Sequence, residues 1–168
     1  MKYLSVVAYI ATIFAANWAI QTFGVIPVGF GLLAPAGVYF VGLAFPLRDY
    51  IQRVLGRRWG VAAILVGSAL SYFVSPTFAL ASGVTFLVSE SVDMAVYTPL
   101  QKRFSLAVGL SSLSALVVDS VLFLYLAFHS EAFLLGQIVG KVEATAVGAL
   151  IVVLLWQHRQ RLQMVTVA

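Results

Sequence analysis

Apolar residues occur in six long stretches of the chain, and short polar or basic segments separate them. Most of these stretches approach or exceed the roughly 20 apolar residues that a helix needs to cross a bilayer. The pattern therefore predicts an all-α integral membrane protein with about six transmembrane helices in a single domain. The predicted spans cover residues 4–21, 32–55, 59–74, 80–100, 104–128 and 133–156.

Composition agrees with a lipid-facing exterior and argues against a soluble enzyme. Hydrophobic residues make up 62% of the chain and charged residues 10%, whereas soluble domains are about 25% charged. The chain has no cysteine, which excludes disulfides and thiolate metal sites. The two histidines, His129 and His158, lie near segment ends, so a Ser-His site or a multi-histidine metal site is not expected. We expect no catalytic residues, no metal and no cofactor.

Lysine and arginine residues are concentrated in alternate loops. The turns at 23–30, 75–79 and 129–132 contain neither residue type. This distribution follows the positive-inside rule and predicts that both termini lie in the cytoplasm. It also explains the net charge of +4 without nucleic-acid binding. Seven of the ten basic residues lie in the other turns and at the C-terminus: Arg53, Arg57, Arg58, Lys102, Arg103, Arg159 and Arg161.

The first predicted span has a second interpretation as a secretory signal peptide. Lys2 precedes an apolar run that reaches the small residues Ala15 and Ala16, which loosely fits such a peptide. Its removal would leave an odd number of spans, so the alternating charge pattern favours a retained helix.

Ionisable residues occur inside the predicted spans, where each costs roughly 2.5–3.5 kcal/mol at the membrane centre. Depth below the outer span ends increases by about 1.5 Å per residue of a helix. On that scale Glu90, Asp119, Lys141 and Glu143 all lie roughly 12–15 Å deep. Ionisable groups on three different helices at one level predict a central polar site.

Further polar residues extend this predicted site along the same helices. Asp93 and Tyr97 follow Glu90 on one face of the fourth span, and Gln137 precedes Lys141 by one turn on the sixth. The acids outnumber the base, which suits a ligand rich in hydrogen-bond donors, because one carboxylate can accept two parallel N–H bonds. The predicted substrate-binding residues are Glu90, Asp93, Asp119, Lys141, Tyr97, Gln137 and Asn17.

The charged residues also have a structural interpretation. Lys141 could neutralise Asp119 or Glu90 as a bridge between helices. Glu143 is the weakest site candidate and could meet a partner subunit, so a homodimer is left open.

Two other motifs have an ordinary packing or surface interpretation. Arg48 and Asp49, near the inner end of the second span, have an interpretation as a local surface pair, and a functional role is left open. Small residues at every fourth position of the sixth span predict close helix packing. These small residues are Gly136, Gly140, Ala144 and Gly148.

Five short segments, in chain order, resemble the VUT family of queuosine-precursor transporters. The resemblance implies a six-helix inner-membrane importer of 7-deazaguanines, the cyano and aminomethyl precursors of queuosine. The chain departs from this family at Arg53, where many members carry an acidic residue. The segments are Ala34-Pro35-Ala36-Gly37, Leu47-Arg48-Asp49 with Gly56, Ser89-Glu90 with Asp93 and Tyr97, Val118-Asp119 with Phe123, and Gly136-Gln137 with Gly140-Lys141.

The sequence thus leads to the hypothesis of a transporter for a 7-deazaguanine or a similar purine-like base. In this hypothesis Glu90 or Asp119 accepts the donors of the base, and Lys141 balances charge or binds the ring carbonyl. The alternative is the substrate-binding subunit of a multi-component vitamin importer, since such subunits are also small six-helix proteins. A small membrane enzyme is a third hypothesis, disfavoured by the lack of paired acidic motifs with metal spacing and of central histidines.

Overall fold

The computed structural model describes residues 3–74 and 79–167 of the chain. Within these ranges, α-helices lie at the predicted apolar stretches, and the all-α class is confirmed. The predicted turn at 75–79 falls largely on residues 75–78, which lie outside the described ranges. The helices are α1 Leu4–Phe23, α2 Val38–Leu55, α3 Arg57–Val74, α4 Ala79–Leu100, α5 Phe104–Phe128 and α6 Leu134–Val167.

A small antiparallel hairpin connects α1 to α2. The prediction that the second helix begins at residue 32 is wrong, because α2 begins at Val38. Pro35 gives the physical reason, since a proline disfavours the helical conformation at the residue before it. That residue, Ala34, pairs with Ile26 across the hairpin instead. The elements of the hairpin are β1 Val25–Pro27, a 3-10 turn at Gly29–Gly31 and β2 Leu33–Pro35.

Two glycines end helices in conformations that other residues rarely adopt. Gly24 follows α1 with a φ of 61°, and Gly56 follows α2 with a φ of 98°. Each donates its N–H to the last turn of the helix before it. Because Gly56 reverses the chain at once, α3 begins at the next residue, Arg57. The last helix is longer than predicted: α6 continues past residue 156 to Val167.

In the described part of the chain, three of the helices are long and apolar enough to cross a membrane. They are α1, α5 and the segment Leu134–Leu162 of α6. Large apolar side chains on their outer faces are exposed, including Leu150 at 60% and Leu154 at 54%. In contrast, most of the acidic residues and several hydroxyl residues are buried inside the bundle. Polar groups inside and apolar groups outside are the arrangement that a lipid environment favours.

Helix α2 lies at the centre of the bundle and contacts each of the other five helices. Its closest neighbour is α6, and small residues allow that approach. A side chain added at Gly42 would lie 2.7 Å from the backbone oxygen of Lys141 and 2.8 Å from the side chain of Ala144. Thr145 of α6 completes the contact by donating to the Gly42 carbonyl at 2.9 Å. The prediction of close packing along the small residues of α6 is confirmed.

Candidate functional site

Arg48 of α2 is fully buried at the centre of the bundle and is surrounded by three carboxylates. Its Nη2 lies 2.7 Å from Asp49 and 2.6 Å from Asp93. Its Nε donates to Glu90 at 3.2 Å. All four side chains have 0% exposure. We call these four residues the arginine cluster.

Neutral polar groups from three helices contact the arginine cluster. Tyr9 of α1 donates at 3.2 Å to Oε1 of Glu90, the oxygen that does not accept from Arg48. Ser111 of α5 donates to Asp49 at 2.7 Å. Gln52, one turn along α2, accepts from Nη1 of Arg48 at 2.8 Å.

The interpretation of Arg48 and Asp49 as a surface pair is therefore wrong. Arg48 lies on the inward face of the central helix, where Tyr97 also packs its ring 5.6 Å from the guanidinium carbon. A buried guanidinium needs carboxylate partners, and α4 supplies two of them from adjacent turns, Glu90 and Asp93. The sequence did contain a signal for this arrangement, since one lysine cannot balance the acids of three spans.

A second cluster forms around Lys141 of α6, and we call it the lysine cluster. The Nζ of Lys141 donates to Asp119 at 2.6 Å, to Ser120 at 3.0 Å and to the side-chain oxygen of Gln137. Asp119 also accepts a hydrogen bond from Ser89 of α4 at 3.2 Å. A lysine ammonium has three N–H donors, so all of those of Lys141 have partners. The bridge to Asp119, one of the two acids that the sequence left open, is the one that forms.

A cavity lies between the helices beside the lysine cluster. Its empty space is about 670 Å³ when the open mouth is included, and the centre of a water molecule can occupy about 70 Å³ of it. One buried water needs roughly 10–15 Å³ on the latter measure, so the cavity has room for several. Each of the six helices contributes to its wall, which is mainly apolar with a few polar groups. These polar groups include Thr12, Asn17, Ser71, Ser82, Thr85, Asp119, Gln137 and Lys141.

The predicted site residues fall into two groups. Asn17, Asp119, Gln137 and Lys141 line the cavity. Three others, Glu90, Asp93 and Tyr97, are fully buried in or against the arginine cluster and do not line this cavity in the described part of the chain. The sequence reasoning also omitted the phenyl rings of the cavity wall, which belong to Phe40, Phe86 and Phe123.

Helix α4 joins the two groups of residues. Thr85, Ser89 and Asp93 follow one another at intervals of four residues and therefore lie along one face of the helix. Thr85 faces the cavity, Ser89 binds Asp119 of the lysine cluster, and Asp93 contacts Arg48. Four residues, or about 6 Å along the helix axis, separate each from the next.

Glu143 stands apart from both clusters. It is exposed on the outer face of α6, and Tyr39 of α2 donates to it at 3.3 Å. Its oxygen also approaches Gly29 of the hairpin turn. Glu143 thus belongs to neither the cavity wall nor the arginine cluster, which agrees with its place as the weakest of the site candidates.

Comparisons of the chain with protein-family models, with curated proteins and with solved structures found no match.

Proposed function

We propose that this chain is a six-span transporter of the inner (plasma) membrane that carries a 7-deazaguanine or a similar purine-like base. The observation that carries this proposal is the cavity, which combines one carboxylate, two side-chain amides and three phenyl rings. Pockets of this kind, mostly apolar with a few convergent polar groups, are typical of small-molecule sites. The resemblance of five segments to queuosine-precursor transporters points to the same class of ligand.

Asp119 is the proposed acceptor for the donor edge of the base. Each carboxylate oxygen accepts one hydrogen bond within the protein, from Ser89 and from Lys141. A carboxylate has about four acceptor positions, so two stay available. Two parallel N–H donors of a guanine-like edge match such a pair of acceptors. Of the two acids that the sequence offered as acceptors, Asp119 is the proposed one, because Asp119 lines the cavity and Glu90 does not.

Gln137 is the proposed donor to the ring carbonyl. Its side-chain oxygen faces Lys141, which can only donate. This contact fixes the orientation of the amide and leaves its NH₂ group for a ligand. The ammonium of Lys141 has no N–H left for a carbonyl, so Lys141 serves the site by neutralising Asp119.

The proposed topology places both termini in the cytoplasm. Arg53, near the inner end of α2, donates to the backbone oxygen of Gln101 at the end of α4 and lies 4.4 Å above the ring of Trp156 on α6. The ends of three alternate elements thus meet at one end of the bundle, where most of the basic residues also occur. A reporter fused after Arg161 should read as cytoplasmic, and an external reading would refute the six-span topology.

Ligand binding to purified protein tests the proposed function. Asp119→Asn replaces an acceptor oxygen with a donor amide and should weaken the binding of 7-cyano-7-deazaguanine by about ten- to a hundredfold, equivalent to about 1–3 kcal/mol. Glu143→Gln is the matched control, because this exposed acid does not line the cavity, and it should bind as the wild type does. An analogue without the 2-amino group should bind the wild type less tightly, and Asp119→Asn should discriminate against it less.

Thermal melts of the same samples separate loss of the site from loss of the fold. If a folded Asp119→Asn variant binds the parent base as tightly as the wild type, the assignment of this cavity as the base site is wrong.

A further inference from the structure

The arginine cluster contains more acidic than basic groups. Three carboxylates and one guanidinium would leave two uncompensated negative charges if all of them were ionised. All four side chains have 0% exposure, so water cannot screen that excess. Burying uncompensated charge costs several kcal/mol per ion. Carboxylates that share one site reduce this cost by keeping a proton between them, and one proton lowers the excess here from two negative charges to one.

The contacts identify the carboxylate of this cluster that accepts the fewest hydrogen bonds. Both oxygens of Glu90 accept hydrogen bonds, from Tyr9 and from Arg48. Asp49 accepts one from Ser111. Asp93 lies 2.6 Å from Arg48 and beside Ser111, but neither of its oxygens has a fully formed hydrogen bond within the described chain.

Asp49 and Asp93 also lie close to each other. Both contact the same nitrogen, Nη2 of Arg48, at 2.7 and 2.6 Å. Ser111 donates to Asp49 and also lies beside Asp93. A proton on Asp93 removes the repulsion between the two acids and has a hydroxyl next to it.

We propose that Asp93 binds an exchangeable proton and that the arginine cluster couples the movement of this proton to transport of the base. This inference rests on the proposed function and names its driving force. Among the residues that the structure describes, the charged and titratable groups that face Asp93 come from three helices. They are Tyr9 on α1, Arg48 and Asp49 on α2, and Glu90 and Tyr97 on α4.

The path from the cavity to this proton site is short. Ser89 binds Asp119, which lines the cavity, and Ser89 precedes Asp93 by one turn of α4. A ligand that takes up the acceptors of Asp119 therefore acts on the helix that holds Asp93. Proton binding and base binding can influence each other through this shared helix.

A metal ion does not fit the arginine cluster. The guanidinium of Arg48 already occupies the space between the three carboxylates. Within residues 3–74 and 79–167, no group of three or more histidine, aspartate or glutamate side chains is arranged to hold a metal ion. A sodium gradient should therefore not replace the proton gradient.

Proteoliposomes that contain the purified full chain test this coupling, with 7-cyano-7-deazaguanine as the probe. An inward proton gradient of about one pH unit should drive up to about tenfold accumulation of the base inside the proteoliposomes, if one proton enters with each molecule of base. Asp93→Asn mimics the protonated acid, so it should fold and exchange the base across the membrane but lose gradient-driven accumulation. Glu143→Gln, the matched control, should accumulate the base as the wild type does.

The infrared spectrum of ligand-free protein is a second, independent measurement. The wild type should show the carbonyl stretch of a buried protonated carboxylic acid, which Asp93→Asn should lack and Glu143→Gln should keep. The proposal would be overturned if Asp93→Asn accumulated the base as the wild type does, or if a sodium gradient drove accumulation by the wild type. It would also be overturned if the carbonyl band of Asp93→Asn were the same as that of the wild type. A wild type that exchanges the base but ignores the proton gradient would overturn the coupling alone. A wild type that neither binds nor exchanges the base would overturn the proposed function and, with it, the coupling.

Discussion

Lys141 of α6 forms the ion pair with Asp119 at the wall of the cavity. Its ammonium is buried and contacts three side chains, of which Asp119 is the only charged one. Breaking a buried ion pair costs more than the pair contributes, because the remaining charge loses its partner inside a low-dielectric interior. The stability of the cavity therefore depends on keeping both members of the pair.

Lys141→Met should lower the free energy of unfolding by about 3–5 kcal/mol, because it leaves Asp119 uncompensated. Adding Asp119→Asn removes the orphaned charge and should recover part of that loss. The measurement is a double-mutant cycle of unfolding in detergent. Strictly additive losses in the double variant would show that the two side chains do not interact.

At the scale of single residues, sequence reasoning recovered the lysine cluster better than the arginine cluster. Depth counting placed Asp119 and Lys141 at one level, and the two side chains meet. Depth counting also grouped Glu90 with them, although Glu90 binds Arg48 instead. Distance along a helix gives the depth of a residue in the membrane but not the direction in which its side chain points. The sequence therefore could not predict which of the acids at one depth pairs with Lys141.

Helix α2 is the element that organises both clusters. It carries Arg48 and Asp49 on its inward face, and it packs against the helix of Lys141 at Gly42. Apolar stretches predicted where the helices lie, but nothing in the local pattern indicated which helix is central. The hairpin before α2 was missed because most of its residues are as apolar as those of a span, and its prolines and glycines are what distinguish it.

Gly42→Ala should destabilise the protein by about 1–3 kcal/mol, because the added methyl group meets the backbone of α6 in a closely packed contact. Gly109→Ala on α5 is the matched control, since no atom lies within 4 Å of the new side chain. That substitution should be neutral or stabilise by about 0.4–1 kcal/mol through the lower entropy of the unfolded chain. Thermal melts of both variants check the contrast, and equal effects would mean that α2 and α6 do not pack this closely.

The whole molecule has an apolar exterior around a charged interior. Exposed side chains such as Leu65 and Leu110 face outward, while the buried interior holds the arginine cluster and the lysine cluster. Composition alone predicted the first feature, since 10% charged residues cannot cover a soluble surface. The division of the interior into a cavity and a closed cluster depends on side-chain contacts between distant helices, which no local sequence pattern contains.

Transport of the base by this chain alone is the central claim, and counterflow measures it most directly. Liposomes that contain only the purified protein are loaded with unlabelled 7-cyano-7-deazaguanine and given a trace of the labelled base outside. The account predicts rapid entry of label well above that in protein-free liposomes, and strongly reduced entry with the folded Asp119→Asn variant. No entry above the protein-free level, or entry that appears only after an ATP-hydrolysing partner complex is added, would contradict a transporter that works by itself.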